Sequence, residues 1–323
     1  MNFLLEDWTG PINYYRNLPF IRISEGANGS TWGSEPWKGG QVLLMSGGQD
    51  NYTSLESVIH SLELLPKDAH ATVRVIPGAG HLPHQENPDV VNNYLLDFLH
   101  GMVSFKKVVA LDLKGFGDSD KPSQRHCYRV NVLLNELHEF INSLGVSSCV
   151  IIGHDLGALL GWLLIYNYPG LVTKFVALSC PHPNIYWDSI PQNGNFSQRW
   201  VHFSQLPYLP EVECLKEDLS VISQYYNHVN GNGEKMSVIE AYKYSFSRSV
   251  PCEEEEKEKL SQANGGEGIH KRLVNRVLES SWLRYGNQVL GAAKKGVVGV
   301  GLTHDENNGR VISLLGSNGL VHS

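Results

Sequence analysis

Residues 153–157 read Gly-His-Asp-Leu-Gly and place one acidic side chain, Asp155, at the centre of a motif that could support nucleophilic chemistry. The apolar stretch 149–153 predicts a buried strand, and the spacing over 157–168 predicts a helix. A strand that turns sharply into a helix between small residues presents its central side chain at the top of a sheet. We therefore predict a nucleophile elbow carrying Asp155, with the backbone N–H of Leu156 as an oxyanion donor. An ordinary strand–helix turn that contains an aspartate is the alternative.

The aspartate at this position restricts the chemistry. A carboxylate does not form a stable acyl enzyme for ester cleavage, but it can displace a leaving group at an sp³ carbon and form an alkyl ester. Asp155 therefore points to the opening of an epoxide or to dehalogenation.

Three further residues have the types that such a reaction needs. His81 follows the alternating stretch 71–76 in a glycine-rich loop and could act as the general base on water. Asp50 follows the apolar stretch 41–47 and could orient the His81 ring. Tyr15 could donate a proton to the oxygen released from an opened epoxide. Taken singly, a surface histidine, a turn aspartate and a packed tyrosine are ordinary readings, and only the combination favours a site.

The elements around these residues alternate between strands and helices. Apolar strands followed by amphipathic helices predict a mostly parallel sheet covered on both faces, so the expected class is α/β. The strands are expected at 41–47, 71–76, 107–113, 149–153 and 174–179, and the helices at 54–63, 88–99, 129–144 and 157–168.

The bulk composition fits one folded α/β unit. The 323 residues are 41% hydrophobic and 18% charged, which is enough apolar material for a core. A formal net charge of -7 argues against nucleic acid as a partner. Five scattered cysteines without a CxxC pair favour free thiols in a reducing compartment. The N-terminal residues lack the features of a signal peptide, and no apolar run is long enough for a membrane span, so we expect a cytoplasmic protein.

Five motifs of this sequence match a known family: Gly10–Asn17, Ile76–His81, Val108–Asp120, Ile151–Gly157 and Pro181–Asn184. By these motifs the chain closely resembles the epoxide-hydrolase branch of the α/β-hydrolase family. The resemblance covers most of residues 8–100 and 107–248.

The resemblance implies a role for each candidate residue. Asp155 would be the nucleophile, His81 the base and Asp50 its relay acid. Tyr15 would be one of two cap tyrosines that activate the epoxide, and the cap would comprise 8–20 and 184–249. The resemblance also implies a substrate pocket that includes Trp200, His154 and Pro181, and it implies no cofactor and no metal.

The order of the segments departs from the family. In the family the relay acid and the histidine follow the cap, whereas here Asp50 and His81 come first. The first strands of the family and their His-Gly-x-Pro loop, which supplies a second oxyanion N–H, do not occur in this sequence. Trp200 stands where the second cap tyrosine is expected, and Leu156 stands where a tryptophan is common. We therefore interpret 1–250 as a permuted, incomplete α/β-hydrolase domain with its core at 41–183.

In the family, the strand before the His-Gly-x-Pro loop lies between the strands that correspond to 107–113 and 149–153. The absence of this central strand leaves three structural alternatives. The strands at 107–113 and 149–153 close up, the otherwise unassigned tail 251–323 supplies a replacement, or the fold is incomplete. Residues 101–106 must connect the helix at 88–99 to the strand at 107–113, which is expected several strand positions away in the sheet. This segment is barely long enough, so a domain-swapped oligomer is a further alternative.

The expected function is hydrolysis of a small-molecule epoxide to a diol through an alkyl ester on Asp155, with reduced or lost activity. A non-catalytic remnant or binding protein of the same fold is the first alternative. A dehalogenase using the same nucleophile is the second, although Leu156 lacks the N–H of a halide-binding tryptophan.

Overall fold

The computed structural model describes residues 3–18, 21–23, 37, 39–65, 68–100, 108–117, 119–194, 197–226, 239–240, 242–244, 246 and 309–315. Strands within these residues form one sheet. In chain order they are β1 (Gln41–Gly47), β2 (His70–Ile76), β3 (Val108–Asp112), β4 (Ser148–His154), β5 (Val172–Leu178) and β6 (Gly309–Leu315).

The sheet is parallel throughout its paired strands, in the order β2-β1-β5-β4-β6-β3. Its central strands are apolar on both faces. In β4, for example, residues 149–154 are all buried, as expected for a parallel strand covered by helices on both sides. The α/β class expected from the sequence is confirmed.

The tail of the chain supplies a strand to this sheet. β6 lies between β4 and β3, with Ile312 in register with Ile151 on one side and with Val109 on the other. Of the three alternatives for the absent central strand, the structure adopts replacement by the tail, and β3 and β4 do not close up. The expected join at 101–106 lies outside the described residues.

Helices pack around the sheet and form a cap above it. α6 is buried along nearly its whole length between the sheet and its neighbours, whereas α5 buries a single face. The helices, in chain order, are α1 (Phe3–Asn17), α2 (Leu55–His60), α3 (Pro83–Glu86), α4 (Pro88–Leu99), α5 (Val130–Ser143), α6 (Leu156–Asn167), α7 (Pro183–Ser189), α8 (Gln198–Ser204), α9 (Leu209–Cys214) and α10 (Ser220–Tyr225).

A buried ion pair fastens α1 to the cap helices that come much later in the chain. The Arg16 guanidinium contacts the Glu211 carboxylate through both nitrogens, at 2.6 and 3.1 Å. It also donates to the backbone oxygens of Ser204 at 2.8 Å and Leu206 at 2.7 Å. Both charged side chains are almost fully buried. Because the N–H groups of the Arg16 guanidinium are paired with these acceptors, the N-terminal helix is held in place over the sheet.

Candidate active site

Asp155 sits at a strained turn between β4 and α6. Its φ of 47° and ψ of -118° are unfavourable for a residue with a side chain, and such strain is typical of functional turns. The turn also requires close packing of strand and helix, because a Cβ on Gly153 would lie 2.5 Å from the Cα of Ala158. The local sequence therefore produces the expected elbow and lifts Asp155 to the carboxyl edge of the sheet.

His81 is held in a defined orientation by Asp50. The His81 Nδ1 lies 2.9 Å from Asp50 Oδ2, while Asp50 Oδ1 accepts hydrogen bonds from the backbone N–H groups of Tyr52 and Thr53. An ionised carboxylate can only accept, so Nδ1 carries the proton and Nε2 faces the cavity. A side chain on Gly47 would collide with the carbonyl of Gly80, so glycine at 47 lets the His81 loop approach β1.

Two groups fix the loop carrying His81: Glu86, which the sequence did not single out, and His154, which was expected in the substrate pocket. Glu86 accepts from the backbone N–H of Gly80 at 2.8 Å and from that of Leu82 at 3.0 Å, and so clamps the loop on both sides of the histidine. The His154 Nε2 lies 2.8 Å from the His81 carbonyl oxygen and donates to it. The base is therefore held by its backbone as well as by its ring.

His81 and Asp155 converge although His81 comes earlier in the chain. The His81 Nε2 lies 4.0 Å from Asp155 Oδ1, and the side chains of both line the same cavity. This separation is too long for a direct hydrogen bond, but it places the base next to the carbon at which an ester on Asp155 would be hydrolysed.

Three tyrosines surround the nucleophile. Tyr15, Tyr186 and Tyr225 all line the cavity, and the Tyr186 hydroxyl donates a hydrogen bond to Asp155 Oδ1. Burial, together with the charge of Asp155, raises the pKa of each tyrosine well above its usual value. Each hydroxyl therefore remains protonated and available as a donor at neutral pH. Tyr186 and Tyr225 were missed from the sequence, because among 14 tyrosines nothing in their spacing distinguishes them.

The charges around His81 favour its protonated form. Burial alone would lower its pKa, but the charge and hydrogen bond of Asp50, and then the charges of Asp155 and Glu86, outweigh burial and raise the pKa to about 9. Burial also acts to raise the pKa of Asp50, yet His81 and the two backbone N–H donors hold that pKa below its usual value. The resting site thus contains an imidazolium between two carboxylates.

The three residues expected to line the substrate pocket are not part of the cavity wall, whereas Leu156 is. Leu156 lines the cavity beside Asp155. Trp200 lies behind Tyr15, with ring centroids 6.3 Å apart, and is not among the lining residues. His154 packs against His81, and burial and the His81 charge lower its pKa to about 4. Pro181 is buried, and neither it nor His154 is among the lining residues. The wall is instead completed by residues of the cap, because the cap helices cover the carboxyl edge of the sheet.

The cavity itself is mostly apolar. The empty space of the cavity, counted out to the solvent at its mouth, is about 790 Å³. Its apolar walls include Trp8, Pro11, Phe116, Trp187, Ile190, Val221, Ile222 and Phe246. An apolar chamber with one carboxylate, one imidazole and several phenols suits a weakly polar electrophile.

Neither a metal site nor a membrane span is found in the part of the chain that the structure describes. No group of three or more histidine, cysteine, aspartate or glutamate side chains there could hold a metal ion. In the same residues, no helix has both the length and the apolar character needed to cross a bilayer.

A parallel sheet with a nucleophile elbow, a relayed histidine and a helical cap is the arrangement of an α/β-hydrolase. Residues 105–201 match the family model described as alpha/beta hydrolase fold, and this range contains Asp155 and Tyr186. This match and the relatives described next support an epoxide hydrolase-like α/β-hydrolase.

The chain is similar to several proteins named as epoxide hydrolases. It is 35% identical to Epoxide hydrolase 4 of Homo sapiens over 150 residues, which cover 44% of this chain and 41% of that protein. It is 39% identical to Epoxide hydrolase 3 of Xenopus tropicalis over 120 residues, covering 36% and 33%. It is 37% identical to Bifunctional epoxide hydrolase 2 of Sus scrofa over 91 residues, covering 28% and 15%. The aligned part spans less than half the length of each of these relatives.

Proposed function

We propose that the chain hydrolyses an epoxide to a diol through an alkyl ester on Asp155. The observation that carries the proposal is the convergence of Asp155, the His81–Asp50 pair and Tyr15 on one apolar cavity. The names of the relatives support the same substrate class.

In the first step an Asp155 carboxylate oxygen attacks an epoxide carbon. The C–O bond of the ring breaks, and the released oxygen takes the phenolic proton of Tyr15. The attack neutralises the Asp155 charge, and this charge is one of those that raise the His81 pKa. Alkylation therefore lowers the His81 pKa, and the Nε2 proton passes to the Tyr15 phenolate left by the first step, which restores the phenol and prepares the histidine for the second step.

In the second step His81 activates water. Nε2 takes a proton from a water molecule, and the water oxygen bonds to the Asp155 Cγ. The ester C–O bond then breaks, and the leaving diol oxygen receives the proton from His81. Asp50 holds the ring in place and stabilises its charged form. The carboxyl group left on Asp155 then returns its proton to His81, which restores the carboxylate and the imidazolium. The sum of both steps is epoxide plus water to diol.

A single-turnover reaction in heavy-oxygen water tests this sequence. Excess protein is mixed with styrene oxide, and the peptide containing Asp155 is analysed by mass spectrometry. We expect heavy oxygen in the Asp155 carboxylate and not in the first diol formed. Heavy oxygen in the diol alone would indicate direct hydration. Absence of turnover, together with absence of label on Asp155, would favour a non-catalytic protein of the same fold.

Dehalogenation is the second candidate, and one feature of the cavity favours it. The indole N–H of Trp187, in the cavity wall, has no hydrogen-bond partner among the described residues and could bind a released halide. Leu156 offers no such side-chain donor. Bromide release from a bromoalkane, abolished in Asp155→Asn and reduced in Trp187→Phe, would support this candidate. Turnover of epoxides without halide release would remove it.

A further inference from the structure

The Tyr186 hydroxyl is bonded to the reacting carboxylate itself. Tyr186 lies on α7, is 5% exposed, and donates to Asp155 Oδ1. The start of α7 is fixed by Asn184, whose side chain exchanges two hydrogen bonds with the backbone of Ile23 at 2.6 and 2.7 Å. The ring of Trp187 packs edge-on against Tyr186 with centroids 4.8 Å apart. The hydroxyl is therefore held in place before any substrate arrives.

This contact makes the two oxygens of Asp155 unequal. Among the described residues, the hydrogen bond from Tyr186 is the one that the Asp155 side chain accepts. A donor on Oδ1 withdraws electron density from that oxygen, so Oδ2 is the better nucleophile. If Oδ2 forms the ester, Oδ1 becomes its carbonyl oxygen and already carries a donor.

We propose that Tyr186 is the second oxyanion donor of this site, acting with the backbone N–H of Leu156. The proposal rests on the proposed epoxide hydrolysis. When water bonds to the Asp155 Cγ, the electrons of the C=O bond move onto Oδ1 and make it negative. The Tyr186 O–H, already directed at Oδ1, stabilises that charge without giving up its proton. Collapse restores the C=O bond and breaks the ester C–O bond.

This role replaces a donor that the sequence lacks. No His-Gly-x-Pro segment occurs in the chain, so the loop expected to supply the second oxyanion N–H is absent from this sequence. Tyr186, on α7, instead supplies a donor to Asp155 Oδ1. Burial raises its pKa well above the usual value, so it stays a neutral donor throughout the cycle. Before substrate arrives, the Tyr186 hydroxyl is already bonded to the nucleophile, although its side chain also lines the cavity.

The experiment measures the two half-reactions separately in the full-length chain. Tyr186→Phe keeps the ring and removes the hydroxyl. With styrene oxide and rapid quenching, we expect the rate of ester formation on Asp155 to change by only a few fold. We expect ester hydrolysis to slow by about 10²–10³, so that the alkylated peptide accumulates. Tyr14→Phe is the matched control, because Tyr14 is fully buried and donates to the Lys114 carbonyl, outside the cavity.

The possible outcomes of this experiment lead to different conclusions. Slower ester formation with unchanged hydrolysis would make Tyr186 an acid for the epoxide and overturn the inference alone. An equal effect of Tyr186→Phe on ester formation and on ester hydrolysis would also overturn it. No ester on Asp155 in the unchanged protein would remove the proposed function and this inference with it. If Tyr186→Phe does not fold, a difluorinated tyrosine at 186 keeps the shape and strengthens the donor. Hydrolysis should then change while ester formation does not.

Discussion

The His81 ring is placed between two carboxylates, with Nδ1 2.9 Å from Asp50 Oδ2 and Nε2 4.0 Å from Asp155 Oδ1. Two negative charges on opposite sides of one buried imidazole stabilise its protonated form. The charge of Asp155 and the proton affinity of His81 are therefore linked, and alkylation of Asp155 should release the His81 proton.

This linkage predicts a measurable change in the His81 pKa. In the unchanged protein we expect it near 9, and in Asp155→Asn we expect a lower value, because one of the charges that raise it is removed. An NMR titration of the His81 ring protons measures both values. His154, whose pKa is lowered to about 4, is the internal reference and should stay neutral over the same range. An unchanged His81 pKa in Asp155→Asn would contradict the linkage.

The same shift has a defined sign for stability. The His81 pKa is raised above its unfolded value of 6.5, so its stabilisation is complete below pH 6.5 and is lost as the pH rises through about 9. Denaturant unfolding across that window should show falling stability. In Asp155→Asn the loss should begin at the same pH, end at a lower pH and be smaller in total.

Removal of the Tyr15 hydroxyl tests the acid of the first step. Without a proton donor the epoxide oxygen leaves as an alkoxide, so in Tyr15→Phe we expect ester formation to slow by about 10² or more. Hydrolysis of an ester already formed should change little. Stopped-flow tryptophan fluorescence and quenched-flow mass spectrometry follow the two steps. Tyr14→Phe, one residue away on the same helix, should alter neither; equal effects from both variants would point to packing instead.

Most of the sheet could be predicted from the sequence, because its apolar runs have few competing readings. Strand 41–47 is observed with the expected bounds, and the expected helix 88–99 is observed as α4. The roles of Asp50, His81 and Asp155 were expected from residue type, from their positions after strands and from the family resemblance, whereas their order in the chain departs from the family. The strand in the tail was left as one of three alternatives, because seven residues of mixed character do not show which strands they pair with.

The contacts that tune the site could not be predicted. Glu86 clamps backbone N–H groups and Tyr186 reaches across the cap, and both interactions join segments whose approach depends on the folded chain. Neither residue belongs to a spaced motif. The placement of Trp200 behind Tyr15 likewise depends on how α8 packs, and alignment to a family position does not reveal it.

The clamp formed by Glu86 should matter for both stability and the second step. Glu86→Ala leaves the N–H groups of Gly80 and Leu82 without their partner, and we expect a loss of about 2–4 kcal/mol in the free energy of unfolding. Ester hydrolysis should slow more than ester formation, because the His81 loop moves. Urea denaturation and the half-reaction rates measure these effects. Glu63→Ala, on an exposed position, is the control and should change neither quantity.

The Arg16–Glu211 pair should contribute far more than an exposed pair. Glu211→Ala leaves a buried guanidinium without its partner, and we expect a loss of roughly 3–5 kcal/mol. Asp188→Ala breaks the exposed pair with Arg22 and should cost about 1 kcal/mol or less. Chemical denaturation of both variants gives the comparison. Equal losses would show that α1 is not held to the cap by this pair.

The strand from the tail makes the last prediction, because it is paired on both sides. Proline at a central position of such a strand removes a ladder hydrogen bond and cannot be relieved at an edge. For Ile312→Pro, which interrupts pairing with Ile151 and Val109, we expect a loss of about 3 kcal/mol or more. Hydrogen exchange should show faster amide exchange in β4, whose elbow carries Asp155, and ester formation should fall with it. Ile312→Val, which keeps the backbone N–H of the strand, is the control. If Ile312→Pro unfolds at the same denaturant concentration as the unchanged chain, β6 does not hold the centre of the sheet.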